Sequence, residues 1–310
     1  MRKFFGWLLT LVLVGAVAVG GFYWLLETTD PKEERGASCV VTTDGGTFQL
    51  GADQTPHAAH AAGAATQRQL PARAITIALA TMMQESGMRN LDYGDRDSLG
   101  LYQQRPSQGW GCETEVQDPV YATAKFYDAL VRVSDYQEME ITVAAQAVQR
   151  SGFPDAYAQH ENLSRAWASA LAGYDAKSVD CYWPDTQSWR TATYAVPQLD
   201  FSALLARDLG LNAQETTSAG SGRSTVRAQY LLDGGALLPD EPSRGAWIAA
   251  NWALLTAGQT AVIEVQVGAE LWHRTQGWLT AAEASDVEDP AIRELPPGQV
   301  LVTVAPFPSS

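Results

Sequence analysis

The spacing of apolar and polar positions divides the chain into an apolar N-terminal run, a long block of helical pattern, and a C-terminal part with shorter periods. Residues 4–26, opening on Phe4 and closing on Leu26, are apolar apart from Thr10. At about 1.5 Å per helical residue, such a run can cross a hydrocarbon core of about 30 Å. It predicts one transmembrane helix. Arg2 and Lys3 precede it, and Glu27, Asp30, Glu33 and Glu34 follow. The positive-inside bias therefore predicts a single-pass membrane protein with a cytoplasmic N-terminus and its main domains outside the cytoplasm. Ala16-Val17-Ala18 offers a competing reading as a signal-peptide cleavage site, although apolar residues continue beyond it.

Beyond a polar stalk, alanine-rich helical pattern occupies residues 52–68, and Pro71 opens a second helix as a first-turn proline should. Ile75, Ile77, Ala78, Leu79, Ala80, Met82 and Met83 make this second helix apolar nearly all round, the pattern of a buried helix. Residues 88–111 lose that period and fill with Gly, Asp, Asn, Pro and Ser, so they read as loops with a short extended piece at 99–103. Helices resume at Asp118-Pro119, at 142–150 and at 155–171. Residues 182–197 form a connector and 215–224 a Gly and Ser-rich stretch. After them come a helix at 245–256, strands at 260–267 and 300–304, and short extended pieces at 271–274 and 277–279. The expected architecture is a mainly α domain over 39–181 after one transmembrane helix (1–26) and a stalk (27–38). A linker (182–197) then leads to a small α+β C-terminal domain over 198–310.

Charge and cysteines narrow the function. A formal net charge of −14 repels nucleic acid, and no second apolar run suits a transporter or channel acting alone. The three cysteines match no zinc pattern, and no metal or cofactor is expected. Cys39 and Cys181 stand at the two ends of the helical block, and a disulfide between them would staple it, leaving Cys112 free. A bridge from Cys112 to either of the others is the alternative. His57 and His60 on the first helix have no third ligand nearby in sequence and read as packing or surface residues. Six of the ten tryptophans lie from Trp183 onward, where indoles either fill a small core or stack on sugars.

Glu85 is the residue that stands out chemically. It ends an apolar helix, two residues before the expected stop at Gly87. Burial and the negative end of the helix dipole both raise a carboxyl pKa towards the range useful for general-acid work. The plain alternative is a solvated glutamate on a surface helix.

Glu85-Ser86 together with Leu99-Gly100-Leu101-Tyr102-Gln103-Gln104 resembles the paired signatures of lytic transglycosylases and goose-type lysozymes. Residues 94–111, 118–127 and 144–157 are more narrowly similar to membrane-anchored lysozyme-like proteins of actinobacteria. The resemblance implies a lysozyme-like fold for 39–181 and an enzyme that cleaves peptidoglycan glycan strands with Glu85 as general acid and base. Asp97 is the preferred second carboxylate, ahead of Asp92 and Asp95, should the reaction be hydrolysis. Ser86, Tyr102 and Gln103 are expected to line the site, with Gln104 facing away because side chains alternate along an extended segment.

The resemblance departs from the family at one place. A family tyrosine that hydrogen-bonds the acid has no counterpart in Ala144-Ala145-Gln146-Ala147-Val148-Gln149-Arg150. Gln146 or Gln149 would have to replace it, and Arg150 would depress the acid's pKa if it paired with Glu85. The rival expectation is therefore a catalytically inactive glycan-binding or envelope scaffold protein. The expected partners are peptidoglycan strands, the cytoplasmic membrane through residues 4–26, and an envelope protein for the C-terminal domain, with no nucleic acid.

Overall fold

β-branched residues at the start of the described chain build a hairpin where helical pattern had drawn attention downstream. The computed structural model describes residues 36–150, 155–184, 199–216, 228–280 and 294–305. β1 (Ser38–Thr43) carries Val40, Val41, Thr42 and Thr43 and pairs antiparallel with β2 (Gly46–Gly51) across a turn at Asp44-Gly45. β3 (Val179–Tyr182) returns to the other side of β1, giving the sheet order β2-β1-β3. Cys39 and Cys181 face each other in that register and form the disulfide, with Cα atoms 4.0 Å apart, while Cys112 is free and exposed.

Helices fill the interval. α1 (Thr55–Gln67) and α2 (Ala72–Ser86) pack together, and Pro71 stands at the N-cap of α2. α3 (Glu113–Val116) leads into α4 (Pro119–Leu130), whose N-cap Asp118 accepts from the Val120 N–H. α5 (Ile141–Gln149) is followed by a 3₁₀ turn at Ala156–His160 and by α6 (Glu161–Leu171), which packs along α2. The last part contributes α7 (Phe201–Leu209), β4 (Gln214–Thr216), β5 (Ala228–Asp233) and the long α8 (Pro242–Thr260). It ends with β6 (Val262–Val267), β7 (Glu270–His273), β8 (Gly277–Leu279) and β9 (Gln299–Val304). These six strands form one antiparallel sheet in the order β4-β5-β9-β6-β7-β8.

Two expectations are corrected. About 46% of the described residues are helical and 20% are strand, in two antiparallel sheets, so the protein is not a mainly α domain with a small α+β appendage. The added strand content comes from β-branched segments such as Val40-Val41-Thr42-Thr43, which pair across the sequence and show no helical period. Among the described residues no helix is long and apolar enough to cross a membrane, against the single-pass expectation. The longest helix, α8, buries its apolar surface against the six-stranded sheet and against α1 and α6, so its hydrophobicity is matched by protein. Residues 4–26, the stalk up to residue 35, residues 185–197 of the linker and residues 217–224 of the Gly and Ser-rich stretch lie outside the described residues.

From Ala37 onward the chain forms one compact unit with a continuous hydrophobic core. α8 is the spine of that core. Trp183 is 1% exposed, donates its indole N–H to Leu254 O at 3.0 Å, and lies so close to Gly258 that an added Cβ would come within 2.5 Å of the ring. On the other side Gly63 of α1 approaches the backbone of Asp208 at the end of α7, where a Cβ would meet the carbonyl oxygen at 2.5 Å.

Asp208 is 1% exposed and joins three helices. It accepts from His60 Nδ1 at 2.7 Å, from Arg207 Nε at 2.7 Å and from Trp252 Nε1 at 3.0 Å. Burial alone would push its pKa up, but the His60 and Arg207 hydrogen bonds outweigh burial and hold it below the ordinary carboxylate value. His60 is thus a helix-packing histidine whose partner lies 148 positions away in sequence.

Three outcomes follow for stability. Asp208→Ala leaves buried His60 and Trp252 donors unpaired and should cost about 3–5 kcal/mol in denaturant unfolding. The native contribution of Asp208 should be complete above pH 3.8 and fade as the pH falls through that value, because the folded carboxyl titrates lower than the unfolded one. Replacing both Cys39 and Cys181 with Ser opens a 142-residue loop and should lower stability by roughly 2–5 kcal/mol in the same assay.

Candidate active site

The site begins with the way α2 stops. Its buried face, from Ala74 through Met82, fixes the helix in the core, and Gly87 then takes a left-handed φ of 61°. The Gly87 N–H reaches Met83 O at 3.1 Å and the Met88 N–H reaches Met82 O at 2.8 Å, closing the last turn. Gln54 Nε2 donates to Gly87 O at 2.9 Å from the start of α1. Glu85 therefore sits on a fixed helix end, half-buried and within reach of the negative pole of the dipole.

Its one direct partner of short length comes from an unexpected place. The Tyr157 hydroxyl, on the 3₁₀ turn before α6, donates to Glu85 Oε1 at 2.6 Å. Gln149, at the last position of α5, also lies against the carboxyl. Burial pushes the Glu85 pKa up, and the hydrogen bonds from Tyr157 and Gln149 moderate that rise without cancelling it. Arg150 is exposed, caps α5 in the left-handed region with φ 53°, and is not among the groups that act on Glu85. The concern that it would neutralise the acid does not apply.

The resemblance implies a tyrosine on the helix that is α5. That helix ends at Gln149 without one, and Tyr157 stands seven residues after Arg150. The signal was present in the sequence, because Tyr157 is the only tyrosine between Tyr136 and Tyr174. Of the two amides considered as replacements, Gln149 acts on Glu85, while Gln146 lies half-buried one turn earlier. Gln159 and His160 were also missed. Both reach the neighbour of the acid, with Gln159 Nε2 3.0 Å and His160 Nε2 3.1 Å from Gln84 Oε1.

The loop residues named from sequence serve mainly as scaffold. Ser86 is buried, donates to Leu101 O at 2.7 Å and accepts from the Arg89 N–H at 3.2 Å, so it ties the helix end to the following loop. Tyr102 is fully buried and stacks on Phe126 with ring centroids 4.6 Å apart, and burial drives its phenol well above the ordinary value. Its backbone carbonyl accepts from Gln149 Nε2 at 2.6 Å, which positions Gln149 beside the acid. Gln103 takes a positive φ of 47° and donates to Tyr93 O at 3.3 Å and Gly100 O at 3.2 Å. Gln104 is buried on the other side and donates to Ala122 O at 3.1 Å, across the Leu99–Gln104 bridge.

Asp97 is held by different company. Arg105 Nε lies 2.8 Å from one of its oxygens and the Ser107 backbone N–H lies 2.7 Å from the other. The Ser107 and Arg105 hydrogen bonds keep its carboxyl well below the ordinary range, so it is firmly ionised and paired. Asp92 and Asp95 are exposed. Among the described residues no second carboxylate acts on Glu85. Among the described residues, no three His, Cys, Asp or Glu side chains converge to hold a metal ion.

The arrangement is a carboxyl that is reluctant to ionise, fixed at one oxygen by a phenol and flanked by an amide. It can give up a proton and take one back. Comparison with known proteins adds no further guide, since no family model and no curated protein matches the chain.

The raised pKa has a measurable consequence. The folded state binds a proton at Glu85 more tightly than the unfolded state, so stability falls as the pH rises through the window above 4.5. Glu85→Gln removes this titration and leaves an acceptor for Tyr157. The variant should melt higher than the parent at pH 7, with the difference shrinking as the pH drops towards 4.5.

Proposed function

We propose that the chain cleaves peptidoglycan glycan strands by lytic transglycosylation, with Glu85 as general acid and then general base. The observation that carries this reading is the half-buried Glu85 with its raised pKa and its 2.6 Å hydrogen bond from Tyr157. Glu85 gives its proton to the glycosidic oxygen as the bond from that oxygen to the anomeric carbon of N-acetylmuramic acid breaks. The leaving sugar departs with the proton. The carboxylate then accepts the proton of the muramic acid 6-hydroxyl while that oxygen bonds to the anomeric carbon. A 1,6-anhydro ring closes, Glu85 is again protonated, and no water is consumed.

Transglycosylation is favoured over hydrolysis by the state of the neighbouring carboxylates. A retaining or inverting hydrolase works with a second carboxylate opposite the first. Asp97 is committed to Arg105 and Ser107, which offset its charge, and among the described residues no other carboxylate acts on Glu85. A substrate hydroxyl supplies the nucleophile without one. Tyr157 and Gln149 both favour the ionised form, which matters in the interval when Glu85 has lost its proton and must recover another.

Purified peptidoglycan digested with the full-length chain should release muropeptides ending in 1,6-anhydro rings, each one water lighter than a hydrolysis product by mass spectrometry. Glu85→Gln should slow release by at least about 10²-fold. Reducing ends, or release unaffected by Glu85→Gln, would refute the mechanism. Because the acid must be protonated, activity should fall as the pH rises through the Glu85 pKa. Tyr157→Phe removes a bond that favours the carboxylate, so its alkaline limb should move to higher pH.

A further inference from the structure

An open groove of about 820 Å³ lies between the β1–β2 turn, one face of α6 and the loop that follows α6, and Glu85 is not among its lining residues. Its volume falls within the roughly 300–1,000 Å³ of small-ligand sites. Asn162, Arg165 and Ser169 come from one face of α6, at spacings of three and four residues. Thr43 and Asp44 come from the hairpin turn, Phe48 from β2, and Tyr174 and Asp175 from the loop.

We infer that this groove binds an uncharged oligosaccharide, with Tyr174 as its stacking platform. Tyr174 is 57% exposed, yet its ring is not left to wander. The Arg244 guanidinium lies over it at 4.0 Å from the centroid. Arg244 is itself held by Ala172 O, which accepts from Nε at 2.9 Å, and by an ion pair with Glu241. A large aromatic surface, exposed to solvent and backed by a pinned cation, is already ordered before any ligand arrives.

The remaining lining selects the ligand class. Asp44, Asp175, Asn162 and Ser169 have side-chain hydrogen-bonding groups with no partner among the described residues. Carboxylate and amide oxygens there accept well from sugar hydroxyls, and the ring offers a face for the sugar's C–H surface. Anions are disfavoured, because the one cation in the lining, Arg165, is paired with Glu161 at 2.9 Å and faces two carboxylates. An extended peptide would need a strand edge to pair with, and the edge strand β2 gives the groove only Phe48 beyond the turn. The inference does not rest on the chemistry of Glu85.

Isothermal titration of the full-length Glu85→Gln chain with chitohexaose and with cellohexaose tests it, since neither sugar carries charge and the substitution prevents turnover. At least one should bind. Tyr174→Ala, added to that chain, should weaken binding by about tenfold or more, which corresponds to about 1.4 kcal/mol, while Tyr174→Phe should stay within about threefold. Asn162→Ala gives a second reading, with an expected loss of about fivefold, should Tyr174→Ala lower the melting temperature. The inference fails if neither sugar binds, if binding ignores both Tyr174→Ala and Asn162→Ala, or if a hexalysine peptide binds in their place. None of these outcomes bears on anhydro-ended product formation by the unsubstituted chain.

Discussion

A carboxyl group removed from water must either gather donors or keep its proton, and this protein uses both solutions within one continuous core. Asp208 gathers donors. His60, Arg207 and Trp252 converge on it, so it stays ionised at 1% exposure and locks α1, α7 and α8 together. Glu85 has one phenol and one amide, too little to offset burial, so its pKa rises. The difference between a structural carboxylate and a candidate acid is therefore the number and charge of donors around it. Asp97 marks the third case, a carboxylate near solvent made more acidic by a guanidinium and a backbone N–H.

The frame that holds Glu85 depends on close approach as much as on donors. α2 is fixed because α1, α5 and α6 surround it, and α1 in turn is held against α7 at Gly63 and against α8 through the Asp208 cluster. α8 meets Trp183 at Gly258, where no side chain larger than hydrogen fits without displacing the indole. Helix ends in such a frame move little. That rigidity suits the proposed role, in which Glu85 presents one oxygen to a phenol and the other to a substrate.

Much of this was legible in the sequence. The helix from Pro71, its stop at Gly87, the Asp118 N-cap and the pairing of Cys39 with Cys181 follow local or end-to-end patterns, and the structure places them there. The strands β1, β2 and β3 were not read. β3 pairs with β1 from some 140 residues away, which no local period encodes, while β1 and β2 form a short local hairpin whose β-branched runs sit beside stronger helical signals. Tyr157 was missed for a related reason. Helical spacing points to α5, but that helix ends at Gln149 and the hydroxyl comes from the next described turn, Ala156–His160. Ser86, Tyr102 and Gln103 were read as lining because they adjoin the acid in sequence. Each instead directs its side chain to the loop or core behind Glu85: Ser86 and Gln103 to backbone carbonyls, Tyr102 to a stack on Phe126.

The acidity of the whole chain reinforces the local argument. A net charge of −14 sets up a field that disfavours adding further negative charge at the surface. Screening confines that field to about 10 Å or less at physiological salt, and burial remains the leading cause at Glu85 itself. The same surface charge opposes long-range capture of an anionic polymer. Under the proposed function, contact with a glycan then comes from short-range groups: hydroxyl-accepting oxygens and ordered aromatic faces, which lose nothing to repulsion when the sugar is uncharged. Tyr174 over Arg244 is such a face. A neutral acid at Glu85 is the matching chemistry, because a protonated carboxyl approaches a glycosidic oxygen without adding to the charge already present.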